Sequence, residues 1–291
     1  MKHIKYLTFL ALSILGIAVL SGKAYAATDD EVTTLYNKGV ATQKIDSSQY
    51  SLSDFKEFVQ EAETNLGVQS GNSKISVESF LELDNYGAMP DGSSPYSKSS
   101  TSSNIYRAPM LRASSSRKTT FTNKIQKGDI LIIGGTFGHA AIATTNKYVL
   151  EMPGGGNIVN WLWTQLKDNN SQKTKTHWID YWSKKADKNK IQIWRPKDKA
   201  MREKVANYAD YRFWSSTHSL TKNRHINYQI IQGTSGFNPN YCSRMVWQSF
   251  YHGSGNKNVI QTSTAGLTYI FPGALVNTFT SKYRPYKVGT Y

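Results

Sequence analysis

Cys242 is the single cysteine of a 291-residue chain, so no internal disulfide accounts for it. It sits in the run Asn238-Pro239-Asn240-Tyr241-Cys242-Ser243-Arg244-Met245-Val246-Trp247. Asn238 suits a helix N-cap and Pro239 the first helical position, which places the thiol in a first turn. Unpaired amides and the helix dipole there favour thiolate over thiol. A free thiol ionises near about 8.5, and a helix N-terminus with a nearby imidazolium brings that below neutral. The result would be a nucleophile for acyl chemistry, with the Cys242 amide placed to donate to a developing oxyanion. The competing reading is that Cys242 is a small hydrophobe in the core.

A thiolate of this kind needs a base, and the register of one hairpin supplies a candidate. His139 to Thr144 and Lys147 to Met152 read as paired strands. If Thr144, Thr145 and Asn146 form a three-residue loop, Ala143 pairs with Lys147 and His139 falls directly opposite Glu151 on one face. Opposed Cβ atoms lie about 5 Å apart, close enough for a carboxylate to orient an imidazole. A two-residue turn would put the two on opposite faces, and the plain alternative to a functional pair is a surface His beside a solvated Glu.

The remaining chemistry-bearing residues argue against other classes. His177, His218, His225 and His252 show neither H-x-x-x-H nor H-E-x-x-H spacing and there is no second cysteine, so no metal and no cofactor is expected. Gly154-Gly155-Gly156 follows a strand but lacks the Lys-Ser/Thr ending of a phosphate loop, and reads as an active-site loop or a plain turn. Trp161, Trp163, Trp178 and Trp182 could line a groove, although aromatic residues at that density more often form core.

The elements that must position these groups divide the chain. Residues 1–26 read as a signal peptide: Lys2 and Lys5 precede an apolar stretch from Tyr6 to Leu20 and an Ala24-Tyr25-Ala26 cleavage site. The alternative, a retained anchor, is disfavoured because the apolar run is short for a membrane span. Residues 27–89 read as a small helical region. Leu52 to Leu66 repeats apolar residues at helical spacing, with Ser51 and Asp54 as a capping box and Gly67 as a stop. Val32, Leu35, Tyr36 and Val40 indicate another helix, and Ser76 caps a short third. This region could be an accessory domain, a pro-segment or a partner-binding arm.

Residues 90–122 are crowded with Ser, Gly, Pro and Lys, the profile of a linker or surface loop. Residues 123–291 then begin with strands, Asp129 to Ile133, the hairpin, and Lys190 to Trp194, before a helix over Asp198 to Trp214. The order is α+β.

The formal net charge is +15, and removing Lys2, Lys5 and Lys23, with no acid among the first 26 residues, leaves +12. For an exported chain the natural anionic partner is a cell envelope bearing acidic polymers, and solubility alone is the bland alternative. No helix-turn-helix, zinc-finger or RNP-like pattern is present, so nucleic acid is not expected as a partner.

The segment Lys127-Gly128-Asp129-Ile130 to Gly138-His139-Ala140-Ala141-Ile142, then Glu151, Tyr228 and Tyr241-Cys242-Ser243-Arg244-Met245-Val246-Trp247, resembles the permuted NlpC/P60 papain-like cysteine enzymes, the YiiX/YebB-like group. Ordinary papain-like enzymes place the nucleophile before the histidine; here His139 leads, as in that group.

The resemblance covers roughly Ile125 to Tyr286 and implies an antiparallel sheet or half-barrel packed on helices. It implies Cys242 as nucleophile, His139 as general base and then acid, and Glu151 as its orienting group. Tyr228 stands where the family has a tyrosine on the oxyanion side, with core packing as its alternative, and Tyr241 is taken with it as an oxyanion or substrate residue. Arg244 occupies a position where family members often carry an acidic or small residue, a departure bearing on substrate choice. Ile270-Phe271-Pro272-Gly273 resembles the family's C-terminal strand and Pro turn. The expectation is a secreted, wall-associated cysteine hydrolase acting on a peptide or amide bond of peptidoglycan, without stable membrane insertion after signal cleavage. The alternatives are acyl transfer or lipid/amide hydrolysis on the same fold, or a non-catalytic envelope-binding module.

Overall fold

The computed structural model describes residues 26–67, 75–97, 115–155, 165–186, 188–255, 258–261 and 269–291. Residues 1–25, on which the signal-peptide expectation rests, lie outside this set, as do Gly156, Trp161 and Trp163. Among the described residues no helix is long and apolar enough to cross a membrane.

Among the described residues, three helices come first: α1 (Asp29–Ala41), α2 (Leu52–Leu66) and α3 (Val77–Leu83). Each starts where its sequence offers a cap. Thr28 and Glu31 form a reciprocal capping box at α1, Ser51 accepts from the Asp54 amide at α2, and Ser76 accepts from the Ser79 amide at α3. Gly67 ends α2 at φ 68°, a conformation that suits glycine because it has no Cβ. The apolar stripe of α2 (Phe55, Phe58, Val59, Ala62 and Leu66) joins Phe80 and Leu81 of α3 in one buried cluster.

The described ends of the expected linker, residues 90–97 and 115–122, are packed against the rest of the protein. Ser93, Ser94 and Tyr96 are buried, and Tyr96 pairs with Asn189 in a β-bridge. Hydrogen bonds stand in for the missing large apolar groups: the Asp91 carboxylate accepts from Ser93, Gln192 and Lys287. The segment ends in helix α4 (Ser115–Lys124), whose Phe121 is fully buried and stacked 5.7 Å from Trp178. Residues 98–114 of it lie outside the described set.

The rest is built on a six-stranded antiparallel sheet of β1 (Ile130–Ile133), β2 (His139–Ala143), β3 (Tyr148–Glu151), β4 (Ser171–Thr174), β5 (Ile191–Arg195) and β6 (Tyr286–Thr290), in the order β4-β3-β2-β1-β5-β6. Both faces are covered, which explains why Ile130 to Ile133 is apolar without alternation. One face, with Ile130, Ile132, Ala140, Ile142 and Leu150, packs on α6 (Lys199–Phe213) and α7 (Cys242–Gly253). The other, with Leu131, Ile133, Ala141, Ala143 and Val149, packs on α4 and on α5 (Lys175–Lys185).

Two expected boundaries move. Asn240 pairs with Asn227 and Gln229 through its backbone, holding the chain extended, so α7 begins at Cys242 with Tyr241 as N-cap instead of starting at Pro239. Pro272 opens a short helix, α8 (Pro272–Leu275), with Phe271 before it; the last strand is β6.

Asp129, just ahead of β1, has a fully buried carboxylate that accepts from Arg195 Nε and Nη2 at 2.7 Å each and from the Gln126 amide at 2.7 Å. Asp129→Ala would strand the largely buried Arg195 guanidinium, and urea denaturation is expected to register a loss of about 3 kcal/mol.

Candidate active site

Glu151 is the last residue of β3 and pairs with Ala141, not with His139. The expected three-residue loop is longer: Ala143 pairs with Val149, and the Thr144 amide closes the turn onto the Tyr148 carbonyl. The register is therefore two residues away from the expected one. An even shift keeps every side chain on its face, and the diagonal neighbour is still within reach of long side chains. His139 Nε2 donates to Glu151 Oε2 at 3.0 Å.

The carboxylate of Glu151 is completely buried and surrounded by donors. Trp178 and Trp182, one turn apart on α5, direct both indole N–H groups at Oε2, at 2.7 and 2.8 Å. Lys173 on β4 donates to Oε1. Burial alone would raise this carboxyl, but the His139 hydrogen bond and charge, followed by Lys173, bring it down to about 2. Trp182 also stacks on the imidazole, ring centroids 4.3 Å apart, covering the His139–Glu151 bond. Trp178 and Trp182 are thus core residues with a directed polar task. Their spacing of four, which sets both indoles on one helix face, was the signal available in the sequence. Lys173 offered no comparable signal.

His139 opens β2 after a tight turn in which Gly138 has φ 45° and its amide bonds the Gly135 carbonyl. A Cβ on Gly138 would lie 2.6 Å from the Ile133 carbonyl oxygen. The imidazole stands at the end of the sheet, and there it meets Cys242 arriving from the helix layer on the other face. The two side chains hydrogen-bond. With Nε2 turned to Glu151, Nδ1 is the nitrogen left for the sulfur.

Burial tends to lower the His139 pKa, but hydrogen bonds to Cys242 and Glu151 and their charges outweigh it and raise it to about 9. Burial tends to raise the Cys242 thiol, and the His139 hydrogen bond and charge, the Ala140 amide and the Ser243 hydroxyl reverse this to a net lowering. Both shifts favour the imidazolium–thiolate form of the pair.

Cys242 is the first residue of α7, no side chain caps that helix end, and the first-turn amides have no intrahelical acceptor. The Tyr228 hydroxyl hydrogen-bonds the sulfur, and burial, then the Cys242 and Tyr241 charges, hold the phenol well above its ordinary pKa, as a neutral donor. Tyr241 is buried too, with its hydroxyl accepting from the Ile270 amide at 2.9 Å, which fixes the wall of the site. The sulfur, within a residue only 5% exposed, sits in a narrow crevice walled chiefly by Phe137, Tyr228, Ile230, Tyr241, Phe271 and Pro272.

Arg244 does not line that crevice. Its fully buried guanidinium donates to the carbonyls of Ser235 and Pro239, and with Gln248, which donates to those of Thr234 and Gly236, it ties the loop before α7 to the helix. The bearing on substrate choice expected for Arg244 is replaced by a structural role. His218 and His225 pair with Asp210 and Asp168, and among the described residues no three His, Cys, Asp or Glu side chains converge as metal ligands would.

The chain belongs to one family with an uncharacterized 30.3 kDa protein of Bacillus thuringiensis, to which it is 32% identical over 284 residues, spanning 92% of this chain and 93% of that protein. No family model matches it, and no solved structure matches it.

Glu151→Gln would turn an amide N–H toward groups that are themselves donors. NMR titration of His139 in that variant is expected to give a pKa well below about 9, and urea denaturation a loss of about 3 kcal/mol. Because the Glu151 pKa is lowered on folding, its stabilisation is present above the ordinary carboxylate pKa and is lost as pH falls through about 2. Glu151→Gln should lack this acid-side loss.

Proposed function

We propose that the protein is a secreted cysteine hydrolase of the permuted papain-like kind, cleaving a peptide or amide bond in the cell wall. The observation that carries the reading is the row Cys242–His139–Glu151, assembled from a helix N-terminus and two strands at the end of one sheet. Thiolate Sγ would add to the scissile carbonyl, and the oxyanion would be held by the Cys242 amide and the Tyr228 hydroxyl. His139 would pass its proton to the leaving amine as the C–N bond breaks, leaving a thioester. Neutral His139 would then take a proton from water attacking that thioester, releasing the acid and restoring the thiol. The wall as substrate is supported by the expected signal peptide and by the net charge of +12 that remains once residues 1–26 are removed.

A second reading, hydrolysis or transfer of a lipid acyl group, draws on the crevice itself, which apart from Cys242 has no ionisable side chain but the neutral tyrosines among its described lining residues.

Alkylation of Cys242 by iodoacetamide, followed against pH, is the first test. The thiolate should form below the ordinary thiol range, and in His139→Ala the onset should move up, because burial is then opposed only by the Ala140 amide and the Ser243 hydroxyl. Muropeptide analysis should show new termini with the native protein and none with Cys242→Ala. Equal cleavage by both ends the hydrolase reading, whereas a lipid product with intact peptidoglycan selects the acyl reading. Tyr228→Phe is expected to lower kcat by about a hundredfold, the scale of one lost oxyanion donor.

A further inference from the structure

Asp84 ends α3, is only 3% exposed, and takes no part in the Cys242–His139–Glu151 row. It is followed by three residues in the left-handed region, Asn85 (φ 56°), Tyr86 (φ 57°) and Gly87 (φ 69°). Two of these carry side chains that resist this conformation, so the surroundings must impose it. Asn85 Nδ2 donates to the Ala88 and Met89 carbonyls, and Asn85 Oδ1 accepts from Asn277 at 3.2 Å. A Cβ on Gly87 would collide with the Phe58 ring at 2.4 Å.

The turn delivers Asp84 Oδ1 to the Gly273 amide at 3.3 Å. The approach is so close that a Cβ on Gly273 would lie 2.8 Å from the Ala88 carbonyl oxygen and 2.9 Å from that of Asp84. Gly273 directly follows Phe271 and Pro272, two walls of the Cys242 crevice. Four residues before Asp84, Phe80 packs 4.8 Å from Phe137 and 5.1 Å from Phe271, edge-on to the latter. The side of the crevice made by Phe137, Phe271 and Pro272 is therefore backed by the N-terminal helices.

We propose that these helices are a permanent wall of the active site, with Asp84 as a positioning residue that acts through Gly273 on the Phe271–Pro272 side of the crevice. The inference rests on Cys242 being the nucleophile. It predicts that removal of these helices lowers activity, where removal of a pro-segment would raise it. The groups acting on Asp84 are the Gly273 amide, which it accepts from, the Cys242 charge, and Tyr50 from its own region. Burial and the Cys242 charge push the Asp84 carboxyl well above the carboxylate range, so a neutral asparagine should reproduce it.

The test uses the full chain and p-nitrophenyl acetate as a generic acyl probe, with circular dichroism to verify folding. Asp84→Ala and Phe80→Ala are expected to lose about tenfold or more in kcat/KM through a misplaced wall. The pH onset of Cys242 alkylation should stay unchanged, and Asp84→Asn should remain within about twofold of wild type. Phe80→Leu, a milder change, should lose about threefold and serves if Asp84→Ala does not fold. Because the unfolded Asp84 ionises above about 3.9 while the folded one stays neutral, Asp84→Asn should melt above wild type by a margin that grows as pH rises from there. Wild-type turnover in Asp84→Ala and the Phe80 variants overturns the wall. Asp84→Asn failing like Asp84→Ala overturns the role of the neutral acid. Equal turnover by Cys242→Ala sinks the nucleophile and the wall together, and is read separately from the other outcomes.

Discussion

A carboxylate with no access to water needs donors on every side, and the site is organised around meeting that need at Glu151. Three strands and a helix contribute: β2 brings His139, β3 the carboxylate itself, β4 Lys173, and α5 the two indoles. Because each donor comes from a different place in the chain, the charge can be held only when the sheet and α5 are assembled together. The held charge in turn raises the His139 pKa, and His139 lowers that of the Cys242 thiol. Chemistry at the sulfur is thus coupled to folding two layers away.

The sheet also solves a geometric problem. His139 belongs to the α5 face and Cys242 to the helix layer on the opposite face, so the two could not meet across the middle of the sheet. They meet at its end, where β2 begins. The Gly138 turn lets the backbone enter the strand sharply, and the Ala140 amide points at the sulfur. The N-terminal helices close the remaining side, with Phe80 behind Phe137 and Phe271. A crevice with aromatic walls and few polar atoms excludes water, which strengthens every charge interaction inside it.

Much of this could be read locally. Caps and apolar spacing placed α2 residue for residue, because a helix of that kind is decided within a few turns by its own side chains. The pairing of His139 with Glu151 was legible as a shared face, since side-chain parity survives an even register shift, although the loop length was not. The packed stretch around Asp91 and Tyr96 looked like a tether because its anchors, Gln192, Lys287 and Asn189, lie about a hundred residues or more away.

From the residues alone came a lone thiol at a helix start, an imidazole and a carboxylate on one hairpin face, and the α+β order of the elements, all of which depend on short-range periodicity. Only the tertiary structure decided that α5 supplies Trp178 and Trp182 to Glu151, that Arg244 ties down a loop, and that Asp84 stands behind the Phe271–Pro272 side of the Cys242 crevice. Such contacts join positions separated by tens to hundreds of residues. Their energies exist only once the layers have closed and excluded water.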